Sequence, residues 1–157
     1  MRSFRSGVCI LGSVILAMAA ALHIYWAFGG NAAQSISAPA LSGRAVFHVP
    51  RYSNAIVALG LVLAALILVA RSGVLGTAVR TPLTAIGARV MAIGFALRAL
   101  GEFHYLGFFK SVRGTQFAYY DTWFYSPLFV CLAVICVTGA RTDAVSMLTN
   151  RQNSDVS

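Results

Sequence analysis

The residues of this chain most able to do chemistry are charged side chains inside or beside strongly apolar segments. Arg98 and Glu102 are four positions apart, so on a helix they share a face and can form an ion pair. Asp121 follows in the next segment, within a run of aromatic residues. A lone charge in the middle of a bilayer costs about 2.5–3.5 kcal/mol on insertion scales. Such residues therefore either pair with one another or line a pocket or path for a ligand or a proton.

Proton transfer is one chemistry that these groups could perform. Glu102 or Asp121 could act as a general acid or base, with His23 assisting. In lipid the His23 ring needs a polar partner, and either carboxylate would suit. The structural alternatives are an Arg98–Glu102 pair that only locks its own helix to a neighbouring helix, and an Asp121 that caps a helix N-terminus, where the helix dipole favours an anion.

The aromatic residues near these charges have two interpretations. Tyr25 and Trp26 are typical of the membrane–water interface, and a second aromatic run at 119–125 is either an interfacial belt or a stacking wall for a flat lipid or quinone. Two histidines on different helices could hold a haem iron, but no other feature supports that cofactor. The sequence predicts no metal and no cofactor. The candidate site residues are His23, Tyr25, Trp26, Arg98, Glu102, His104, Asp121 and Ser126.

The composition excludes an ordinary soluble domain. Of 157 residues 59% are hydrophobic and only 10% are charged, against about 25% charged in a typical soluble domain, and the mean hydropathy is +0.77. The chain has 12 Lys and Arg against 4 Asp and Glu. Because most basic residues flank apolar runs, they favour membrane lipids over nucleic acid as the anionic partner.

Four apolar runs must position the candidate residues. They cover about residues 7–28, 53–70, 82–109 and 123–140, and each is long enough to cross a hydrocarbon core of about 30 Å. The prediction is an all-α protein, a four-helix transmembrane bundle forming one domain over residues 1–141. The polar tail, 142–157, is expected to be disordered. A signal peptide is the alternative for the first run, because AMAAA offers small residues for cleavage.

The third run is longer than a membrane needs, at about 42 Å as a helix. Either residues 83–100 are embedded and Glu102 lies at the interface, or residues 90–109 are embedded and Arg98 and Glu102 lie near mid-membrane. Glycines at 87, 94 and 101 recur every seven residues, so they mark one helix stripe that we expect to contact a neighbouring helix.

The flanking charges predict the orientation. The side that holds the N-terminus collects six arginines: Arg2, Arg5, Arg71, Arg80, Arg141 and Arg151. The opposite side collects four basic residues: Arg44, Arg51, Lys110 and Arg113. The positive-inside rule therefore favours cytoplasmic termini in the cell membrane. In that orientation the histidines and both acids outside the tail fall toward the outer leaflet, so a polar site would open outward.

Three segments resemble a known family: HIYWAFGG at 23–30, RALGEFHYLGFFK at 98–110 and DTWFYSP at 121–127. They are similar to motifs of small bacterial four-pass membrane proteins classified as domain of unknown function 3995. The resemblance implies four helices in a bacterial membrane and supplies no reaction. The positions that match the motifs are His23, Tyr25, Trp26, Gly29, Gly30, Arg98, Gly101, Glu102, Tyr105, Gly107, Lys110, Asp121, Ser126 and Pro127. Glu102 stands where the motif more often has Asp.

The predicted function is therefore that of an integral membrane protein with a polar cluster toward the outer leaflet. Its expected ligand is a lipid-like or small amphipathic molecule, or a proton. The first alternative is a membrane-embedded enzyme that uses Glu102 or Asp121 as acid or base. The second is a structural subunit that packs against a larger membrane-protein partner.

Overall fold

The computed structural model describes residues 2–33, 37, 40–41, 44–45, 50–101 and 104–141. Four long helices dominate these residues: α1 (Arg2–Ala27), α2 (Arg51–Ser72), α3 (Pro82–Leu100) and α4 (Gln116–Ala140). All four are long and apolar enough to cross a membrane. The prediction of an all-α, four-helix transmembrane protein is confirmed. In the α1–α2 connection, β1 (Ala40–Leu41) pairs antiparallel with β2 (Arg44–Ala45).

Local sequence signals explain where α2 and α3 begin and end. Gly73, at φ +85°, terminates α2 in the left-handed conformation that glycine adopts without strain. Thr81 caps α3 by accepting a hydrogen bond from the Thr84 N–H at 3.3 Å, and Pro82 occupies the first turn. The Thr-Pro start of the third helix is therefore as the sequence predicts.

Three helix boundaries differ from the prediction. The helix α1 begins at Arg2 rather than near residue 7, and α4 begins at Gln116 rather than near residue 123. The helix α3 ends at Leu100 rather than near residue 109, because Gly101 follows it at φ +87°. Arg98 accordingly lies in the last turn of the third span. The tail 142–157, His48 and Glu102 lie outside the described residues.

The helices pack mainly as two hairpins. The helix α1 lies along α2, and α3 lies along α4, with fewer contacts between the hairpins. The core they share contains Leu16, Ala65, Leu68, Ala92, Leu132, Ile135 and Cys136. Large apolar side chains such as Leu59, Leu83 and Val134 are exposed on the outer faces, which is the distribution expected of a bundle whose solvent is lipid.

The expected glycine stripe on α3 is only partly a contact surface. A Cβ on Gly87 would meet Ile67 of α2 at 2.9 Å, so this glycine does permit close packing. A Cβ on Gly94 would have nothing within 4 Å, and Gly101 lies beyond the end of the helix. The expected contact of the stripe with a neighbouring helix is therefore made at Gly87 only, because Gly101 belongs to a turn and Gly94 faces outward.

Candidate functional site

Asp121 is the centre of a buried ion cluster between α3 and α4. Its Oδ1 accepts a hydrogen bond from Nη2 of Arg98 at 2.9 Å. Its Oδ2 accepts one from Nζ of Lys110 at 3.0 Å and one from the backbone N–H of Gly107 at 2.7 Å. The side chain has 0% exposure. Both oxygens of this buried carboxylate therefore accept hydrogen bonds, two of them from cationic side chains.

Lys110 is as deeply buried as its partner. With only 1% of its side chain exposed, it donates from Nζ to Asp121, to the Gly107 carbonyl at 2.9 Å and to Oγ1 of Thr122 at 2.7 Å. An ammonium group has three protons, so all its donors are used. A buried ion pair offsets its loss of hydration only when its remaining hydrogen bonds are made in this way.

Two glycines bring the loop after α3 back to the cluster. Gly101 and Gly107 have φ values of +87° and +82°, a region that side chains rarely adopt. Their backbones also lie against each other: a Cβ on Gly101 would overlap the Leu106 carbonyl, and one on Gly107 would overlap the Leu100 carbonyl. This close approach turns the chain, so that the Gly107 N–H and the Lys110 side chain both reach Asp121.

A π-helical turn within α4 presents Asp121 to these donors. Residues Gln116–Tyr120 form one α-helical turn, which Thr115 caps by accepting from the Ala118 N–H at 3.0 Å. Asp121–Tyr125 is π-helical, and the N–H of Ser126 bonds to the Asp121 carbonyl across it. Such turns insert one extra residue into an α-helix and often occur at functional sites. Thr115, rather than Asp121, is therefore the capping residue of the fourth helix.

Arg98 differs from Lys110 because its bonding capacity is only partly used. Its guanidinium lies 4.8 Å from the centre of the Phe129 ring, a cation–π contact, and its side chain is 26% exposed. Nη1 is buried without a hydrogen-bond partner among the described residues, and so is Oγ of Ser126. Ser126 lies on α4 between Asp121 and Phe129, the two residues that Arg98 contacts.

The histidine and aromatics of α1 have local partners. Nδ1 of His23 lies 3.2 Å from Oδ1 of Asn54 on α2, so its polar partner is this amide rather than Asp121. Trp26 is buried, meets the His23 ring edge-on at 4.9 Å and donates from Nε1 to the Ala32 carbonyl at 2.8 Å. Tyr25 is half exposed. These residues shape the end of α1 and its attachment to α2.

His104 belongs to the loop that follows α3. It is exposed, and its Nδ1 lies 3.1 Å from Oγ of Ser111. Within the described part of the chain no three His, Cys, Asp or Glu side chains are grouped as a metal site. Of the seven candidates that the structure describes, it brings Arg98 and Asp121 into contact, and Ser126 lies one turn after Asp121 on α4.

Sequence reasoning left two important basic residues out of the candidate site. The sequence predicts a loop position for Lys110, within the motif RALGEFHYLGFFK, but the structure buries it beside Asp121. The sequence predicts that Arg71 ends a span, and the structure buries it there: it donates from Nε to the Gly139 carbonyl at 2.7 Å and from Nη2 to the Arg141 carbonyl at 3.2 Å. It thereby satisfies the C-terminal carbonyls of α4 at the end of the bundle opposite the ion cluster.

Comparison with known proteins gives one match. The sequence profile of the family described as "Protein of unknown function (DUF3995)" matches residues 16–136, which cover α2, α3 and the ion cluster completely and α1 and α4 in part. Neither the curated proteins nor the solved structures contain a significant match. The match spans well over half of the chain and confirms the resemblance of its three motifs, so the chain belongs to the DUF3995 family.

Proposed function

We propose that this membrane protein binds a small amphipathic molecule with an anionic head, and that Arg98 is the anchor for that head. The site is at the bundle end where α3 finishes and α4 begins. Its apolar wall is Phe129, and Ser126 supplies a hydroxyl. Glu102 stays in the proposed site on sequence grounds alone, since it lies outside the described residues.

The observation that carries this proposal is the imbalance of the ion cluster. Two cations, Arg98 and Lys110, face one carboxylate, Asp121, among the described residues. Lys110 uses all its donors, whereas Nη1 of Arg98 and Oγ of Ser126 are buried and unpartnered there. Leaving a buried charged donor without an acceptor is unfavourable by about 1–3 kcal/mol or more. An anionic group bound at Arg98 would supply an acceptor for Nη1, and the Ser126 hydroxyl, one turn after Asp121 on α4, is a second donor for it.

Asp121 is better suited to holding the loop than to acid–base catalysis. Both carboxylate oxygens are occupied by donors, and the side chain has no exposed surface through which a substrate could reach it. A general base must come within hydrogen-bonding distance of the proton that it removes. We therefore favour binding over the enzyme alternative, with Asp121 and Lys110 as the support that positions Arg98.

We further propose that the site lies in the outer half of the cell membrane and opens to the outside of the cell. The described arginines Arg5, Arg71, Arg80 and Arg141 meet at the other end of the bundle through hydrogen bonds to the carbonyls of residues 71, 72, 139 and 141. This concentration of positive charge at the end holding the termini supports a cytoplasmic location for that end.

The test is a comparison of small molecules that co-purify with wild type, Arg98→Gln and Arg113→Gln. The solvent extracts are compared by mass spectrometry. Arg113 is exposed in the same loop region, which makes it a matched control. We expect an anionic amphiphile in the wild-type and Arg113→Gln extracts and at least a tenfold depletion with Arg98→Gln. Equal amounts of the amphiphile in all three extracts would refute the proposal. A partner protein that co-purifies only with wild type would favour the structural-subunit alternative.

Ser126→Ala provides a second, independent test. Removing a buried hydroxyl that lacks a partner should leave the thermal stability of ligand-free protein unchanged or raise it. The same variant should retain less of the amphiphile, because one of its hydrogen-bonding groups is gone. A variant that loses stability without changing ligand retention would show that Ser126 serves the fold alone.

A further inference from the structure

We infer that a groove between α3 and α4 is a specific site for one phospholipid with an anionic headgroup, in the leaflet on the side of the termini. The groove is separate from the ion cluster: it lies on the outer surface of the second hairpin and leads toward the opposite end of the bundle. This inference does not depend on the proposed function.

The groove has the size and the apolar lining expected of a binding site for part of an acyl chain. Its volume is about 380 Å³, and one wall is formed by Ala92, Ile93 and Ala96 of α3. The other wall is formed by Ala133, Val134, Val137 and Thr138 of α4. Alanines at the base leave the space that larger side chains would fill. Because the groove is apolar and open to the side, a hydrocarbon chain can enter it directly from the bilayer.

Arg141, just after α4, lines one end of this groove, and Arg89 of α3 precedes the groove residues of its own helix toward the same end. Arg141 lines the groove itself, one turn beyond Val137 and Thr138. Arg89 is exposed and lies three and four residues before Ala92 and Ile93, which places it on the same side of α3. Since α3 and α4 run in opposite directions, Arg141 lies just beyond the end of α4 on the side of the termini. Arg89 lies on the half of α3 nearer that side, about 10 Å along the helix from Pro82, and its long side chain can extend toward the headgroups.

Charge complementarity identifies the occupant. From Ala96 to Arg89 is about 10 Å along the helix, and from Ala133 to Arg141 about 12 Å. A ligand must therefore carry an apolar chain about this long joined to an anion at the level of the two guanidinium groups. An anionic phospholipid has that order of parts, with its phosphate near the membrane surface and its chain directed inward. A free phosphate would leave the apolar walls uncovered.

Native mass spectrometry of the detergent-solubilised protein tests the inference. The protein is titrated with phosphatidylglycerol and, separately, with phosphatidylcholine of the same chain length. A basic residue near an anionic membrane surface contributes about fivefold in affinity, so two should give a preference for phosphatidylglycerol of about 25-fold. We expect Arg89→Gln and Arg141→Gln each to reduce that preference about fivefold, and Arg113→Gln, at the other end, to leave it unchanged.

A variant that fills the groove separates the chain from the headgroup. Ala96 is exposed, so Ala96→Leu should fold normally and should weaken binding of both lipids by at least tenfold. Inorganic phosphate should not displace the lipid. Equal affinity of wild type for the two lipids would overturn the inference. So would a full preference in the Arg89→Gln/Arg141→Gln double variant, or unchanged phosphatidylglycerol binding by Ala96→Leu.

Discussion

Replacing Asp121 with asparagine should destabilise the protein strongly. The substitution keeps the size of the side chain but removes the only described negative charge facing Arg98 and Lys110. Because Lys110 is 1% exposed, its charge would then remain buried without a counter-ion. Breaking a buried ion pair from one side destabilises by about 3–5 kcal/mol. For a chain of this size that corresponds to a fall in Tm of about 6–20 °C.

A double-mutant cycle shows whether the loss comes from the ion pair. Lys110→Met alone should also be destabilising, because Asp121 would lose one of its two cationic partners. The double variant Lys110→Met/Asp121→Asn removes both ends of the pair, so it should be no less stable than Asp121→Asn alone. The coupling free energy between the two positions should therefore reach at least about 2 kcal/mol.

The measurement is the fraction of protein that remains monodisperse by size-exclusion chromatography after heating in detergent. Arg113→Met is the matched control, because this basic residue is exposed in the same region, and it should change stability by no more than about 0.5 kcal/mol. A Tm for Asp121→Asn within about 2 °C of wild type would refute the reasoning. Fully additive effects in the double variant would also refute it. If Asp121→Asn fails to accumulate, recovery of expression in the double variant still reports the coupling.

Three further predictions concern the glycine turn, the opposite end of the bundle and the orientation. Gly101→Ala should lower the free energy of unfolding by at least about 2 kcal/mol, because a Cβ would meet the Leu106 backbone at a positive φ. Gly94→Ala, on an open helix face, should raise the free energy of unfolding by about 0.5–1 kcal/mol in the same thermal assay. Equal changes in stability for Gly101→Ala and Gly94→Ala would contradict the turn geometry. Arg71→Met should lower the free energy of unfolding by about 1.5–3 kcal/mol through the loss of charged hydrogen bonds to the end of α4. Arg71→Lys should recover only part of the stability that Arg71→Met loses. If both variants were as stable as wild type, these hydrogen bonds would contribute little. In a cysteine-free background, Ser111→Cys should react with a membrane-impermeant maleimide in intact cells, and Thr77→Cys only after permeabilisation. The reverse result would place the ion cluster in the cytoplasm.

The sequence predicted the spans well because the lipid environment leaves a simple signal. An uninterrupted run of apolar residues that crosses the bilayer must satisfy its backbone hydrogen bonds internally, which it does as a helix. The existence and order of α1 to α4 therefore follow from the apolar runs. The convergence of Arg98 and Asp121 was also foreseeable, since buried charges must find partners of opposite sign. Which residues would pair was harder to foresee.

The contacts of Asp121 with Arg98 and Lys110 were hard to predict because they depend on two backbone conformations that have weak sequence signals. The i, i+4 argument for Arg98 and Glu102 assumes that α3 continues past residue 101, but Gly101 ends it. Sequence alone did not distinguish a packing glycine from a terminating one. The loop that returns through Gly107 brings Lys110 to Asp121, which is the described ion-pair partner of Arg98 and comes from later in the chain. The π-helical turn that orients Asp121 has no recognisable residue pattern in this sequence.

The π-helical turn at Asp121–Tyr125 also divides α4 into two mechanically distinct parts. One surplus residue turns the stretch before it by roughly 100° relative to the stretch after it. Deleting a single residue from the turn would rotate the Asp121 carboxylate away from Arg98 and Lys110. The Ser126–Ala140 segment would keep its packing against the neighbouring helices. Mutations that remodel the ion-cluster end of α4 could therefore arise without disturbing the Ser126–Ala140 segment, so the two parts of this helix could diverge independently.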